Sequence, residues 1–342
     1  MIVIGVDAHK ATHTAAAVNR LTAEKLDQQT VKARQGGHEV LLAWAIELGE
    51  DRVWAIEDCR TLSSGLERVL LLAGERVLRV PPKLMAAQRK AARSYSKSDP
   101  IDALAIARAA IREPGLPEAT LPGIEHEIGL LVDHRDDLVQ DATAHQRRLR
   151  WHLHQIDPDH HIAPSGLNNP TNLDRLSRKL QRLPQSTQVR ICRELVKRIR
   201  ELTARAKELE RELRALVLKT SPQLLDIPGC GTLCAAAIIA NVAGIARFST
   251  EAQLAAYAGV SPLDASSGRQ QRHRLNRTGN RRLNRALHII AVTQVRIYPP
   301  AIAYYARRKA DGKTNREALR ALKRYIARNV FNTLKNETPL TT

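Results

Sequence analysis

Short apolar blocks of strand length fill the first part of the chain. Within residues 1–33 the segments IVIGVDAH, THTAAAVN and LDQQTVKA predict three strands, and the turn residues between them suit a β-meander. Val40, Leu41, Trp44 and Leu48 recur at helical spacing and predict a helix over 37–48. A strand at 52–57, a helix at 62–73 and a strand at 75–80 follow. Pro81-Pro82 then punctuates the chain, and a further helix is expected to about Arg93. The segment DPIDALAIARAA opens a helix over 99–112. A three-strand meander followed by βα units defines a layered α/β domain over 1–116.

From about 117 the character changes. Residues 124–156 and 171–183 read as charged helices rich in His and Arg. Ile191, Leu195, Ile199, Leu202, Ala206, Leu209, Leu213 and Leu216 step by three and four, which is heptad spacing. The residues around them are Arg198, Arg200, Glu201, Lys207, Glu208, Glu210, Arg211 and Glu212. This predicts a coiled-coil arm within a connector over 117–220. The alternative is one long helix packed on its own domain. Pro158, Pro164, Pro170 and Pro184 mark loops, and HHIAPSGLNNPTN (160–172) reads as a linker. Residues 221–342 form a second, mainly helical unit. It opens with Ile227-Pro228-Gly229-Cys230-Gly231 between helical segments. Such a turn resembles a helix-hairpin-helix, whose Gly229 and Gly231 amides would approach a DNA phosphate. The alternative is a Pro-Gly turn between two core helices.

Composition narrows the partner. The 342 residues carry a formal net charge of +19, which points to a polyanion, with nucleic acid the leading candidate. No apolar run is long enough to span a membrane. The first apolar run is broken by Asp7, His9 and Lys10 and is not a signal peptide. Cys59, Cys192, Cys230 and Cys234 lack paired metal spacing; Cys230 and Cys234 read as small core residues. A reduced, cytoplasmic, nucleoid-associated setting is expected. Aromatics make up only 3% of the chain, which argues against single-strand binding dominated by stacking platforms.

The candidate chemistry lies in four acids. Asp7 ends the run IVIGVD, Glu57 ends VWAIE, and Asp99 and Asp102 sit three apart at a helix start. Strand-end and helix-borne carboxylates in this order are what an RNase H-like nuclease core requires. Converging carboxylates suit Mg²⁺, a hard cation, in a two-metal site for phosphodiester chemistry. Taken singly, Asp7 could cap a turn, Glu57 could be a solvated loop acid, Asp99 an N-cap and Asp102 a first-turn dipole partner.

A basic segment follows in the C-terminal unit. Between Ser266 and Arg285 stand seven Arg and no acid, with Gly268, Gly279 and Asn280 as turn residues. A loop or hairpin pinned to a helix would present Arg269, Arg272, Arg274, Arg277, Arg281 and Arg282 to phosphates. Ser261, Ser266 and Ser267 lie beside it; each alone reads as a turn residue.

Taken together, these residues resemble the DEDD transposases: the insertion-sequence group one-ten recombinases and the related Piv-type DNA invertases. Asp7, Glu57 and Asp99-Pro-Ile-Asp102 match the first conserved domain. IPGCG, FST, LAAYAGVSP, SSG and GNRRLNRAL match the second, in order. The resemblance implies a RuvC-like N-terminal domain, a helical arm and a C-terminal transposase domain. It implies Mg²⁺-dependent excision and insertion of a mobile element in bacteria, with the four acids on the metal. It implies a nucleophilic serine in a Ser-Gly pair, here Ser267-Gly268, with Ser266 one position before. It also implies target and donor DNA paired to a guide non-coding RNA. A helical arm joining distant catalytic parts points to a homo-oligomer, dimer or tetramer. Two rivals stand: a junction-type endonuclease using metal-activated water, and a non-enzymatic DNA-binding protein.

Overall fold

The computed structural model describes residues 1–57, 60–81, 84, 99–113, 115–159, 162–163, 166–264, 273–274, 276 and 279–337. The chain forms two compact units, Met1–Leu121 and Pro122–Thr342. The helix expected from Pro81-Pro82 to Arg93 falls almost wholly outside the described residues.

The first unit holds strands β1 (Ile2–Ala8), β2 (Thr12–Asn19), β3 (Lys25–Lys32), β4 (Arg52–Glu57) and β5 (Val77–Val80). Its helices are α1 (Gln35–Leu48), α2 (Arg60–Leu72) and α3 (Asp99–Arg112). The sheet order is β3-β2-β1-β4-β5. β2 runs antiparallel to β1 and β3, while β1, β4 and β5 run parallel. This is the RNase H-like arrangement that the meander followed by βα units predicts. Sheet alternation sorts the side chains between two cores. Ile4, Val6, Ala15, Ala17, Trp54 and Ile56 pack under Leu41 and Ala45 of α1 and Leu66 and Leu70 of α2. On the other face Val3, Val18, Val53 and Ala55 pack under Ile106, Ala107 and Ala109 of α3. Burial on both faces explains why β1, β2 and β4 read as near-continuous apolar runs. β3, at the edge, is mostly polar and exposed.

The second unit begins with α4 (Ile124–Ile156), α5 (Pro170–Arg182) and α6 (Thr187–Thr220). Ile128 near the start of α4 shares a core with Leu213 and Val217 near the end of α6. Leu149 and Leu153 at the other end share one with Val189 and Cys192. The two long helices therefore run antiparallel. Of the heptad stripe, Leu195, Ile199, Ala206, Leu209 and Leu213 are buried within the chain, while Leu202 and Leu216 are half-buried and Val217 is buried beside Leu216. Cys192 and Val196 are buried where Ile191 was expected, and Ile191 is exposed. A single helix drifts about 20° per heptad against a 3.5-residue repeat, so a spacing argument slips by a position over several turns. Ser186 caps α6 by accepting from the Val189 amide. Pro170 does not break a helix; it sits at the first turn of α5 behind the Asn169 cap, where its missing N–H costs nothing.

The remaining elements are α7 (Thr232–Val242), α8 (Glu251–Tyr257), β6 (Leu263–Asp264), β7 (His273–Arg274), α9 (Arg281–Ile297), α10 (Pro299–Ala310) and α11 (Asn315–Glu337). α7 is the apolar centre: Ala235, Ala236, Ile238 and Ile239 pack on Leu287 and Ile290 of α9. Ile326, Val330 and Phe331 of α11 belong to the same core, as do Ile128 and Leu213. Cys230 and Cys234 lie within it. Burial pushes the Cys230 thiol up to about 12.

Candidate active site

Asp7 and Glu57 end two neighbouring parallel strands, with Val6 opposite Ile56 in register. Both therefore lie at the same edge of the sheet. Counting back by twos, Asp7 shares its face with Val3 and Gly5, and Glu57 shares its face with Val53 and Ala55. That is the face α3 covers. α3 crosses β1 at Gly5, where a Cβ would run into the Ala103 carbonyl and come within 2.9 Å of the Ala107 Cβ. Only glycine admits this approach. Asp102 is the residue before Ala103 on this helix.

Asp7 and Asp102 are 5% and 7% exposed. Nε2 of His9 lies 2.9 Å from Oδ2 of Asp7. His9 was not among the residues predicted for this site. Its signal was the two-residue step from Asp7, which places both side chains on one face of an extended chain. Asp99 opens α3 one turn before Asp102, and its side chain lies outside the described residues. Among the described residues, no group of three or more carboxylate, imidazole or thiol side chains stands ready to hold a metal ion. The donor chemistry still fits a hard cation: oxygen ligands, buried, at the end of parallel strands.

On the opposite face of the sheet lies a pair that the sequence did not announce. His13 of β2 stacks on His38 of α1, with ring centroids 5.2 Å apart. Both rings are buried, and neither Nδ1 has a hydrogen-bond partner, nor has Nε2 of His38. Burial first, then the neighbouring His38, lowers the His13 pKa to about 4. Burial also lowers that of His38.

In the second unit β6 and β7 pair antiparallel, Leu263 with Arg274 and Asp264 with His273. Ser266, Ser267, Gly268, Arg269, Arg272 and Arg277 lie outside the described residues, and of Arg274 only the backbone is described. Gly259, at φ +67°, meets Gly279 so closely that a Cβ on Gly259 would stand 3.2 Å from its Cα. Asn284 of α9 donates from Nδ2 to the Ala258 carbonyl at 2.7 Å. Its Oδ1 accepts from the Lys323 ammonium at 2.9 Å. Lys323 is 6% exposed. Its pKa is lowered by burial, then by repulsion from Arg320 and Arg281. Asn280 caps α9 and donates to Asn241 and to the Tyr257 hydroxyl.

Arg281 is exposed at the start of α9, and Arg282 pairs with Asp133 of α4 at 2.5 Å. Ser261 is half-buried in the turn after α8. Gly229, at φ +82°, has its α-carbon against α9, where a Cβ would meet that of Thr293 at 3.0 Å. Its glycine is required by packing. Gly231 is exposed at the N-cap of α7, with open space around its α-carbon.

A nuclease-fold unit with carboxylates at its strand ends, joined to a basic helical unit, defines the class of DNA-processing recombinases. Comparison with known proteins gives the family. A DEDD transposase model of the IS110 group, described as Transposase, matches residues 4–158. A model described as Transposase IS116/IS110/IS902 family matches residues 221–306. The chain belongs to the DEDD transposase family of insertion elements. It is 27% identical to the IS116 insertion element 44.8 kDa protein of Streptomyces clavuligerus, over 94% of this chain and 91% of that one. It is 25% identical to the IS900 insertion element 42 kDa protein of Mycobacterium paratuberculosis, over 94% and 92%. A solved structure of T. thermophilus RuvC in complex with a Holliday junction substrate matches at 16% identity and a TM-score of 0.28. It covers 35% of this chain and 99% of that one. No helix among the described residues is long and apolar enough to cross a membrane.

Proposed function

We propose that this chain is a DNA recombinase that excises and inserts a mobile element, cutting with a carboxylate site and a serine nucleophile. The observation that supports it most is that Asp7 and Glu57 stand at the same end of neighbouring parallel strands, while α3, which carries Asp102, packs against β1 at Gly5. Asp7, Glu57 and Asp102, with Asp99, would hold Mg²⁺, which when bound supplies charge neutralisation at the scissile phosphate. His9 orients the Asp7 carboxylate through its 2.9 Å contact. Ser267 attacks the phosphodiester through its hydroxyl. A serine–phosphate bond forms, the strand end leaves as a hydroxyl, and the serine proton passes to solvent or a neighbouring base. Attack by another strand end reverses the step and completes the exchange. The arginines of the hairpin and Arg281 bind phosphates without reading sequence. Target choice by a guide RNA, and assembly as a dimer or tetramer, belong to the same reading; the +19 charge accommodates both nucleic acids.

The test is denaturing electrophoresis of a labelled suicide substrate, with peptide mapping of any adduct. Wild-type protein should become attached to the cut end through Ser267. Ser267→Ala should yield no adduct and no exchange, with Ser266→Ala and Ser261→Ala as controls. Asp7→Asn and Asp102→Asn should bind substrate and leave it uncut. An active Ser267→Ala with no wild-type adduct would instead establish a water-using endonuclease.

A further inference from the structure

We propose that the outer face of α4 around Trp151 binds an unpaired stretch of nucleic acid, by stacking one base on the indole between phosphate-binding arginines. Trp151 is 61% exposed, although Trp54 of the same chain is fully buried. Its neighbours on the helix face are the residues three and four positions away. These are Arg147 and Arg148 before it and His154 and Gln155 after it, all exposed. None of these four is apolar. Some arginines on the long helices are engaged, such as Arg198 with Glu194 at 2.5 Å and Arg205 with Glu208 at 2.8 Å. Among the described residues, Arg147 and Arg148 make no ion pair or hydrogen bond.

The indole is also held in place. The ring of His152 meets it edge-on, with centroids 4.8 Å apart at 71°. The backbone of that turn is tied to α6, where Gln188 donates to the His152 carbonyl and to Gln155. An ordered aromatic face beside two free guanidinium groups matches an unpaired nucleotide in both of its parts, a flat π-surface and an anion. A duplex hides its base faces and would use only the arginines. One tryptophan gives one stacking position, not a platform, which agrees with the low aromatic content. The site involves neither the carboxylates nor the serine, so it stands independently of the catalytic reading.

The experiment uses the full chain and three fluorescein-labelled probes of equal length: oligouridine RNA, oligothymidine DNA and a mixed-sequence duplex. Fluorescence anisotropy gives the affinities. Trp151→Ala should keep its circular dichroism, since the side chain is exposed. It should weaken single-strand binding about tenfold and leave the duplex unchanged. Trp151→Phe should restore most of the loss. Arg147→Gln with Arg148→Gln should flatten the salt dependence, by about 0.7 in log–log slope per phosphate on a single strand. A loss confined to RNA, or shared by RNA and DNA, supports the site and names its source. Single-strand affinity unchanged in Trp151→Ala overturns the proposal. So does an equal loss on all three probes, or a change of oligomeric state in light scattering with binding intact, which would make the indole a protein contact.

Discussion

Gly5 of β1 and Ala103 of α3 touch backbone to backbone, with no room for a methyl group between strand and helix. The position of the next acid, Asp102, depends on that contact. Gly5→Ala should therefore have two effects. Overpacking should lower stability by about 1–3 kcal/mol. At temperatures where the variant is still folded, strand cleavage should fall much further than stability explains, because α3 moves outward and carries Asp102 with it. Thermal unfolding followed by circular dichroism, beside a cleavage assay on the same preparation, separates the two. A folded variant with full cleavage would show that the close passage of α3 is not needed.

His13 and His38 should make the first unit sensitive to acid. Unfolded, His13 takes up a proton as pH falls through about 6.5; folded, it resists until about 4. Above pH 6.5 the ring is neutral in both states and costs nothing. Between 6.5 and 4 the unfolded state binds the extra proton and stability falls, and below 4 the loss is complete. A shift of this size corresponds to roughly 3 kcal/mol. Urea unfolding from pH 7.5 to pH 4 should show the decline, and His13→Phe should flatten it. The same slope in the variant would assign the acid sensitivity to other groups.

The neck of the basic hairpin should be sensitive to Asn284. Its amide holds the Ala258 carbonyl and the buried Lys323 ammonium at once. Asn284→Ala leaves both without that partner and should cost about 1–3 kcal/mol. Adding Lys323→Met should recover part of the loss, because the stranded buried charge is removed. Denaturant midpoints of the single and double variants measure the coupling. Additive losses would mean that the pair does not act as one support.

The arginines of the hairpin should act through phosphate. Changing Arg274, Arg277 and Arg281 to Gln together should weaken binding to any duplex sequence. The log–log salt slope should fall by about 0.9 for each phosphate that is no longer neutralised. Filter binding over a salt series reads this directly. An unchanged slope would mean that these side chains face solvent or pack internally.

Much of this was legible in the chain itself. The strand runs, the helix starts and the four acids follow from local pattern, because alternation, capping and apolar periodicity are properties of neighbours in sequence. Doubly buried strands betray themselves as unbroken apolar runs, and Asp7 and Glu57 stand out as the charges that end two of them. What the pattern could not carry was contact between distant segments. The heptad stripe fits an arm as well as a helix packed on its own unit; the shared cores of α4 and α6 show which of its residues are covered within the chain. Gly229 looked like a glycine for a phosphate; its tightness against Thr293 is a fact of packing. The His13–His38 stack joins a strand to a helix across a turn and leaves no periodic trace. Sequence determined which residues could do chemistry and which elements bear them, since both rest on residue type and local spacing. Tertiary structure alone decided which acids share a face, what lies beneath the hairpin and which tryptophan stays outside. Those depend on how surfaces fit, and no single segment encodes the surface it meets.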